Sequence, residues 1–185
     1  MVWNNHLTKR LAGDTPPIEW ERLIIRINPL LNKKIIDKVE LTAFVAKGHR
    51  TGRWLLNRND PEYCTKIEAF NTAKKLIFLI LNSKNGVGVN QIQDDFPEEY
   101  FKKEITKCPI CKKEITLTDF DKNAKKDPLS IQIGHDIPLS RTLNQHNSKN
   151  VFWIHRKCNF LKGERTVNET MLDFLDIIKT HVISK

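Results

Sequence analysis

The sequence is poor in the features that mark disulfide-bonded, secreted and membrane-spanning proteins. It has four cysteines in 185 residues, three of them late in the chain, so it does not encode a disulfide framework. Its longest apolar run, Leu76 to Leu81, is far shorter than the roughly 20 residues that cross a bilayer. The first residues, Met1 to His6, lack a charged segment followed by an apolar one. We therefore expect no secretory signal and a cytoplasmic protein.

The sequence also lacks internal repeats and low-complexity tracts, and its 39% of hydrophobic residues is enough for a folded core. It has an excess of positive charge, because 31 Lys and Arg stand against 22 Asp and Glu, a net charge of +9. A surplus of that size favours a polyanionic partner. Since no apolar segment is long enough to span a bilayer, the composition favours nucleic acid over a membrane.

The chain changes character near residue 105, which predicts two parts, residues 1–104 and 105–185. The first part is predicted to be mainly helical. Apolar residues recur at helical spacing from Ile18 to Leu31, and Glu68 to Leu81 has the clearest helix pattern. Segment 35–45 is apolar and fits either a helix or a strand.

The second part combines short strands with helices. Residues 131–133 alternate and predict a strand, and a helix is expected from His155 until Gly163 interrupts it. Residues 169–181 predict a final amphipathic helix that packs into the core through its apolar face. That face consists of Met171, Leu172, Leu175 and Ile178. Together the two parts predict an α+β protein.

Segment 41–59 contains several basic residues and no acidic one. Within it, Lys47, Arg50 and Arg53 are interleaved with two glycines and followed by Trp54. A loop of this composition fits the backbone or a groove of DNA, so these three cations are candidate DNA-binding residues. A solvated basic surface is the alternative.

Two pairs of metal-ligand residues are separated by 43 residues. Cys108 and Cys111 form a CxxC pair, and His155 and Cys158 form an HxxC pair. A tetrahedral zinc ion is held by four sulfur or imidazole donors, which two such pairs supply. The pattern predicts a structural Zn²⁺ that clamps the ends of the segment between the pairs. The alternative is that His155 and Cys158 are core residues beside an isolated CxxC.

Between and within these pairs lies a second set of motifs. A predicted strand delivers His135 and stops at Pro138; Asn150 follows, and then the segment 158–163, which reads Cys-Asn-Phe-Leu-Lys-Gly. In this order, with the zinc-ligand pairs, the motifs resemble the HNH endonucleases, the ββα-metal nucleases, over about residues 105–170. The forms Gly-His-x-x-Pro and Asn-Val-x-Trp are most like those of the HNH subset of type II restriction endonucleases.

The resemblance implies a reaction and a role for several residues. Cleaving a phosphodiester needs an activated water and stabilisation of the charge that develops on phosphate and leaving oxygen. By resemblance, His135 is the general base, Asn150 orients its ring through a side-chain hydrogen bond, and Asn159 binds a catalytic Mg²⁺ or Mn²⁺. Lys162, also assigned to the catalytic set, and Arg165 are expected to contact phosphate of the DNA.

One position departs from the family. The residue before the general-base histidine is usually a metal-binding carboxylate, and here it is Gly134. Asp136 is the nearest substitute as a ligand of the catalytic metal, although strand alternation would point it to the opposite face. The other candidates on the preceding segment are Asp119, Asp121 and Asp127.

These features predict a metal-dependent, sequence-specific double-strand DNA endonuclease of the restriction type, bacterial or phage-encoded. A mainly helical DNA-recognition region in 1–104 would precede a zinc-knitted ββα-metal nuclease module in 105–185. A homodimer acting on a palindromic target is favoured over a monomer that cuts at a distance. The alternatives are a phage or mobile-element HNH nicking enzyme and an inactive zinc module that only binds nucleic acid, which Gly134 favours.

Overall fold

In the computed structural model of this protein, residues 15–46, 51–86, 90–101 and 105–183 are described. They form an α+β fold of helices with one two-stranded antiparallel sheet. The α-helices are α1 (Ile18–Ile27), α2 (Lys33–Phe44), α3 (Lys66–Leu81), α4 (Arg156–Lys162) and α5 (Val167–Ile178), and the strands are β1 (Ile131–His135) and β2 (Val151–His155). Short 3₁₀ turns lie at Arg53–Leu55, Asn90–Asp95, Glu98–Tyr100 and Leu117–Phe120.

Helix α3 lies at the centre of the core and confirms the clearest helix of the sequence pattern. Its start is fixed by a capping box, in which the Glu68 N–H donates to Thr65 Oγ1 and the Thr65 N–H donates to Glu68 Oε2. Almost every residue from Thr72 to Leu81 is buried. A helix that is apolar on most sides needs neighbours on most sides, and α2 and β2 pack against α3.

Segment 35–45 is helical up to Phe44 and belongs to helix α2, which packs against α1. The side chain of Asn32 caps α2 by accepting the N–H of Ile35 at 3.0 Å. Trp20 of α1 is fully buried and donates its indole N–H to Glu40 of α2 at 2.9 Å, while its ring packs edge-on against Phe44. The predicted helical content of the first part is thus confirmed over both helices.

Strands β1 and β2 pair with Ile131 opposite His155 and His135 opposite Val151. The strand predicted around residues 131–133 is confirmed, and helix α4 follows β2 without a loop. Gly163 ends α4 with φ +56°, a conformation that costs glycine little. The order strand, strand, helix therefore puts the end of β1, the end of β2 and the residues of α4 close together.

The apolar core runs across residue 105. On β2, Trp153 donates its indole N–H to the carbonyl of Leu76 in α3 at 3.0 Å. The hydroxyl of Thr106 donates to the carbonyl of Leu79 at 2.7 Å. The division of roles between residues 1–104 and 105–185 stays a prediction, but the two parts share these buried contacts.

Three of the four residues of the predicted apolar face of α5 are exposed, so the prediction that this face packs into the core is wrong for them. Leu172 is 55% exposed, Leu175 51% and Ile178 46%, while Met171 is half-buried. The helix contacts the core through Val167 and Phe174, and Asp136 accepts the N–H of Val167. Helical periodicity shows that a face is apolar, but it does not show what covers that face. No helix in the described ranges is long and apolar enough to cross a membrane.

Candidate active site and metal centre

Four donor side chains come together at the base of the β1–β2 hairpin. The ligand atoms of Cys108, Cys111, His155 and Cys158 all lie within 4.8 Å of one another. Cys111 Sγ lies 3.3 Å from His155 Nδ1. Zinc with ligand bonds of about 2.0–2.3 Å in a tetrahedron needs donors about 3.5–4 Å apart. The four side chains can therefore bind a metal ion, and the donor set of three sulfurs and one imidazole fits zinc.

Two tight turns bring these donors into place. In the first, the Lys112 N–H donates to Cys108 O and the Cys108 N–H to Lys113 O, each at 2.9 Å. This turn puts Lys112 at φ 57°. In the second, His155 ends β2 and Cys158 lies in the first turn of α4. Since α4 starts directly after β2, the HxxC pair needs no further loop to face the CxxC turn.

A cleft of about 770 Å³ opens beside the sheet, and residues from both parts of the chain line it. Three of the four predicted catalytic residues lie in its wall, so the structure brings them together. The cleft residues that can titrate, carry charge or ligate a cation are Arg53, Glu62, His135, Ser140, Asn159, Lys162 and Glu164.

A second histidine holds the imidazole of His135. The Nε2 atom of His135 lies 3.1 Å from Nδ1 of His146, and Nε2 of His146 lies 3.1 Å from the carbonyl oxygen of Ala43. His146 is fully buried, whereas His135 lines the cleft. Sequence motifs gave no signal for His146, because its contact to Ala43 joins positions 103 apart.

Burial keeps both rings uncharged. It lowers the pKa of His135 to about 3, and the nearby cations of Arg53 and Lys162 act in the same direction. Burial also lowers the pKa of His146 well below its usual range, helped by Arg53 and His135. At neutral pH both imidazoles are therefore in the form that can accept a proton or a hydrogen bond.

The expected hydrogen bond from Asn150 to the ring of His135 is not formed. Asn150 is buried, and its Oδ1 accepts the N–H of Ile137 at 2.8 Å. Its Nδ2 donates to Ile137 O at 2.8 Å and to Gln145 O at 2.9 Å. Asn150 thus fastens the two ends of the loop between the strands, because its amide satisfies backbone groups on both sides. It fixes the loop that carries His146 and does not touch the ring itself.

Asn159 and Lys162 lie on the side of α4 that faces the cleft. The amide nitrogen of Asn159 donates to Gln132 Oε1 of β1 at 3.1 Å, so its amide oxygen is the atom with which it could ligate a cation. Lys162 is 3% exposed, and its burial lowers the pKa of the ammonium from its ordinary value. A cation in that position is largely stripped of water and suited to meeting an anion that enters the cleft.

A carboxylate side chain at position 134 would require the ring of Phe152 to move. Gly134 pairs with Phe152 across the two strands, and an added Cβ would lie 2.3 Å from Cε2 of that ring. The Oδ1 atom of Asp136 accepts the N–H of Val167 at the start of α5, at 2.7 Å. Asp136 does not line the cleft. In this structure it holds the start of α5, and its role as a ligand of the catalytic metal stays a prediction.

The three other aspartates considered are also engaged away from the cleft. Asp119 pairs with Lys122 at 2.5 Å, Asp121 pairs with Lys34 at 3.5 Å, and Asp127 accepts the N–H of Leu129 at 2.7 Å.

Glu62 and Glu164 are the carboxylates in the cleft wall. Glu62 is bound to Arg53, and Glu164 accepts the hydroxyl of Ser140. The side chains of this wall that could bind a divalent cation thus include the amide oxygen of Asn159 and the carboxylate of Glu164. This set is small, so water and substrate oxygens would have to complete the shell, as is usual for Mg²⁺.

Arg53, one of the predicted DNA-binding residues, is a buried cation in the wall of the cleft. It is 5% exposed, and its guanidinium pairs with Glu62 at 2.6 Å and donates to the carbonyl of Thr42 at 3.2 Å. It lies in the cleft wall because the chain folds back after α2 through the bridge between Val45 and Gly52. Its Nε has no partner among the described residues.

Of the remaining predicted DNA-binding residues, Arg165 is described by the structure. Lys47 and Arg50 lie outside the described residues. Arg165 is half-exposed, pairs with Asp173 of α5 and donates from Nε to the carbonyl of Lys162 at 3.1 Å. Its side chain is already partly exposed to solvent, and a contact with a phosphate of DNA would compete with its ion pair to Asp173.

Removing the Arg53 side chain is expected to destabilise the fold rather than a DNA contact alone. Arg53→Ala leaves Glu62 largely buried without its cation, which should cost about 2–3 kcal/mol of unfolding free energy in urea denaturation. Arg58→Ala is the matched control, because Arg58 is exposed on the same segment and its loss should cost less than about 0.5 kcal/mol. Equal midpoints for the two variants would contradict the buried ion pair.

The fold is similar to that of a solved type II restriction endonuclease. The match has a TM-score of 0.65 and 18% sequence identity, and it covers 85% of this chain and 80% of the other. No protein-family profile matches the sequence. No curated protein matches it significantly. At this level of identity the likeness concerns the fold, which spans most of both chains.

Proposed function

We propose that this protein is a metal-dependent DNA endonuclease of the HNH type that cuts both strands at a specific sequence, as a restriction enzyme does. The observation that carries the proposal is the convergence of His135, Asn159 and Lys162 in one cleft. They come together on a strand–strand–helix unit whose base holds four metal donors. A binding module needs neither a neutral cleft histidine nor a dehydrated lysine beside it.

The cleft has the chemistry that phosphodiester hydrolysis needs. The neutral ring of His135 takes a proton from the attacking water. Lys162 faces the same space and stabilises the charge on the phosphate, and Asn159 presents an amide oxygen to a divalent cation. A bound Mg²⁺ or Mn²⁺ would supply positive charge at the phosphate and the leaving oxygen. The structural ion at the four-donor site is proposed to be Zn²⁺.

The fold neighbour supports a DNA substrate, because it is a type II restriction endonuclease and matches across most of both chains. The net charge of +9 favours the same polyanion. We place DNA recognition mainly in residues 1–104 and cleavage in 105–185. A homodimer would supply two clefts for the two strands of a palindromic site.

A second candidate is a zinc module that binds nucleic acid without cutting it. Phe152 fills the space where the family has its carboxylate, and Asp136 caps a helix instead of replacing it. If these losses prevent the catalytic cation from binding, the protein retains the charge for DNA binding and loses the reaction.

Cleavage of a long DNA of known sequence tests the proposal. The protein is incubated with Mg²⁺, with Mn²⁺, or with chelator added only for the minutes of the assay, which spares a tightly held structural ion. We expect discrete fragments with either cation and none with chelator. Single-strand nicks would favour the nicking enzyme. Retarded DNA on a native gel without any cleavage would favour the binding module.

A further inference from the structure

We propose that His146 is a positioning residue for His135, holding the ring so that Nδ1 is the atom that accepts the proton from water. This inference rests on the proposed nuclease function for its catalytic meaning. The ring geometry on which it depends is independent of that function. It assigns a role to a residue that no motif of the sequence marks.

The hydrogen-bond chain starts at a group that can only accept. The carbonyl oxygen of Ala43 lies 3.1 Å from Nε2 of His146, so this Nε2 carries the hydrogen. His146 is fully buried, which disfavours a second proton on its ring, and the nearby guanidinium of Arg53 acts in the same direction. The other titratable group beside it is the neutral ring of His135, so the Nδ1 of His146 is a bare acceptor.

The direction of the next bond follows. Nε2 of His135 lies 3.1 Å from that bare Nδ1, so it must be the donor. A neutral imidazole has one hydrogen, and with that hydrogen on Nε2 the lone pair of His135 is on Nδ1. No hydrogen bond to this Nδ1 is found among the described residues, and His135 lines the cleft. The free lone pair is thus the proton acceptor that the reaction requires.

Two sets of contacts with the backbone hold the hydrogen-bond chain that runs from Ala43 through His146 to His135. Ala43 belongs to α2, so the orientation of the cleft histidine depends on the first part of the chain. The loop that carries His146 is fixed by Asn150, which holds the carbonyl of the adjacent Gln145 at 2.9 Å. Asn150 therefore acts on His135 through His146 and not by the direct bond expected from the family.

Nitrogen NMR of the ¹⁵N-labelled full chain tests the ring state directly. The ring signals of His135 are assigned by their loss in His135→Gln. We expect the Nε2–H tautomer for wild-type His135. His146→Leu removes the acceptor at similar volume and should let the ring change tautomer or exchange between the two. His146→Asn places an amide oxygen near the position of Nδ1 and should preserve the wild-type pattern.

The kinetics of DNA cleavage by the same variants provide a second test. His146→Leu should lower kcat about 100-fold with little change in KM, because a misplaced base loses reaction geometry and not binding. His146→Asn should recover most of that loss. Melting curves check that each variant is folded; if the leucine variant is not, the wild-type tautomer and the asparagine variant still decide.

Two outcomes would overturn the inference. One is an Nδ1–H tautomer of His135 in the wild-type protein. The other is a folded His146→Leu protein with the wild-type tautomer and kcat. Failure of the proposed nuclease function looks different, because DNA would then be uncut by the wild type while the ring spectra would still report the hydrogen-bond chain.

Discussion

Replacing Cys111 by alanine is expected to unfold the segment that the four-donor site closes and to release one bound metal ion per chain. The site joins the turn at Cys108 to the end of β2 and the start of α4, and the segment between them contains β1 and β2, one short 3₁₀ turn and no α-helix. Binding of structural zinc contributes on the order of 10 kcal/mol in small zinc domains, comparable to the whole stability of a protein of this size. Loss of one ligand should therefore remove most of the cooperative melting transition.

Metal content by elemental analysis and thermal melting together check this prediction. Cys64→Ala is the control, because Cys64 is a free, fully buried cysteine that lies outside the donor cluster. It should retain the metal and lose only about 1 kcal/mol from a small cavity. An unchanged metal content and melting curve in Cys111→Ala would show that the four side chains do not hold a structural ion.

The site could be anticipated where its parts lie close in sequence. The CxxC and HxxC pairs are each formed by a single turn, and periodicity alone predicts α3 and β1. The motif residues His135, Asn159 and Lys162 meet because β1 pairs with β2 and α4 follows β2 directly. In each of these cases the signal is local, and the local structure determines where the side chain lies.

The rest depends on contacts that the sequence pattern does not encode. His146 has its role through a carbonyl 103 positions away. In the sequence, Arg53 has the pattern of a basic residue in a solvated loop. In the structure it is buried and paired with Glu62. Gly134 looks like a lost ligand, and the structure gives the physical reason: Phe152 lies directly across the strand pair and occupies the space. Burial, cross-strand pairing and helix capping decide these positions.

Replacing His135 by alanine is expected to lower kcat for DNA cleavage about 1,000-fold, because general-base catalysis typically contributes factors of that order. DNA binding should be retained, since the ring is assigned to proton transfer alone. His181→Ala is the control, because His181 is exposed beyond α5 and should cut at the wild-type rate. Cleavage at the wild-type rate by the His135 variant would show that His135 is not the general base. The cleft would then be interpreted as a binding site only.

The pH profile distinguishes this base from an ordinary histidine. Burial, with Arg53 and Lys162 nearby, lowers the pKa of His135 to about 3. The neutral form is the active one, so it persists as pH falls, and the acid limb of kcat/KM should lie well below the ordinary value of about 6.5. Lys162→Met removes one of the two cations and should move that limb to higher pH, even though the phosphate contact is also lost. Two results together would contradict a buried base flanked by cations. The acid limb of kcat/KM would lie at the ordinary histidine pKa, and Lys162→Met would not move it.

A histidine with so low a pKa is a weak base in the free protein, but bound substrate is expected to raise that pKa. A phosphate that enters the cleft brings negative charge beside Arg53 and Lys162, which neutralises the cations that help to lower the pKa of His135. The pKa in the complex should therefore be higher than in the free protein, and the acid limb of kcat should lie above that of kcat/KM. The base would thus gain strength where DNA is bound. Coincident limbs in the two profiles would show that bound phosphate does not reach the cations around His135.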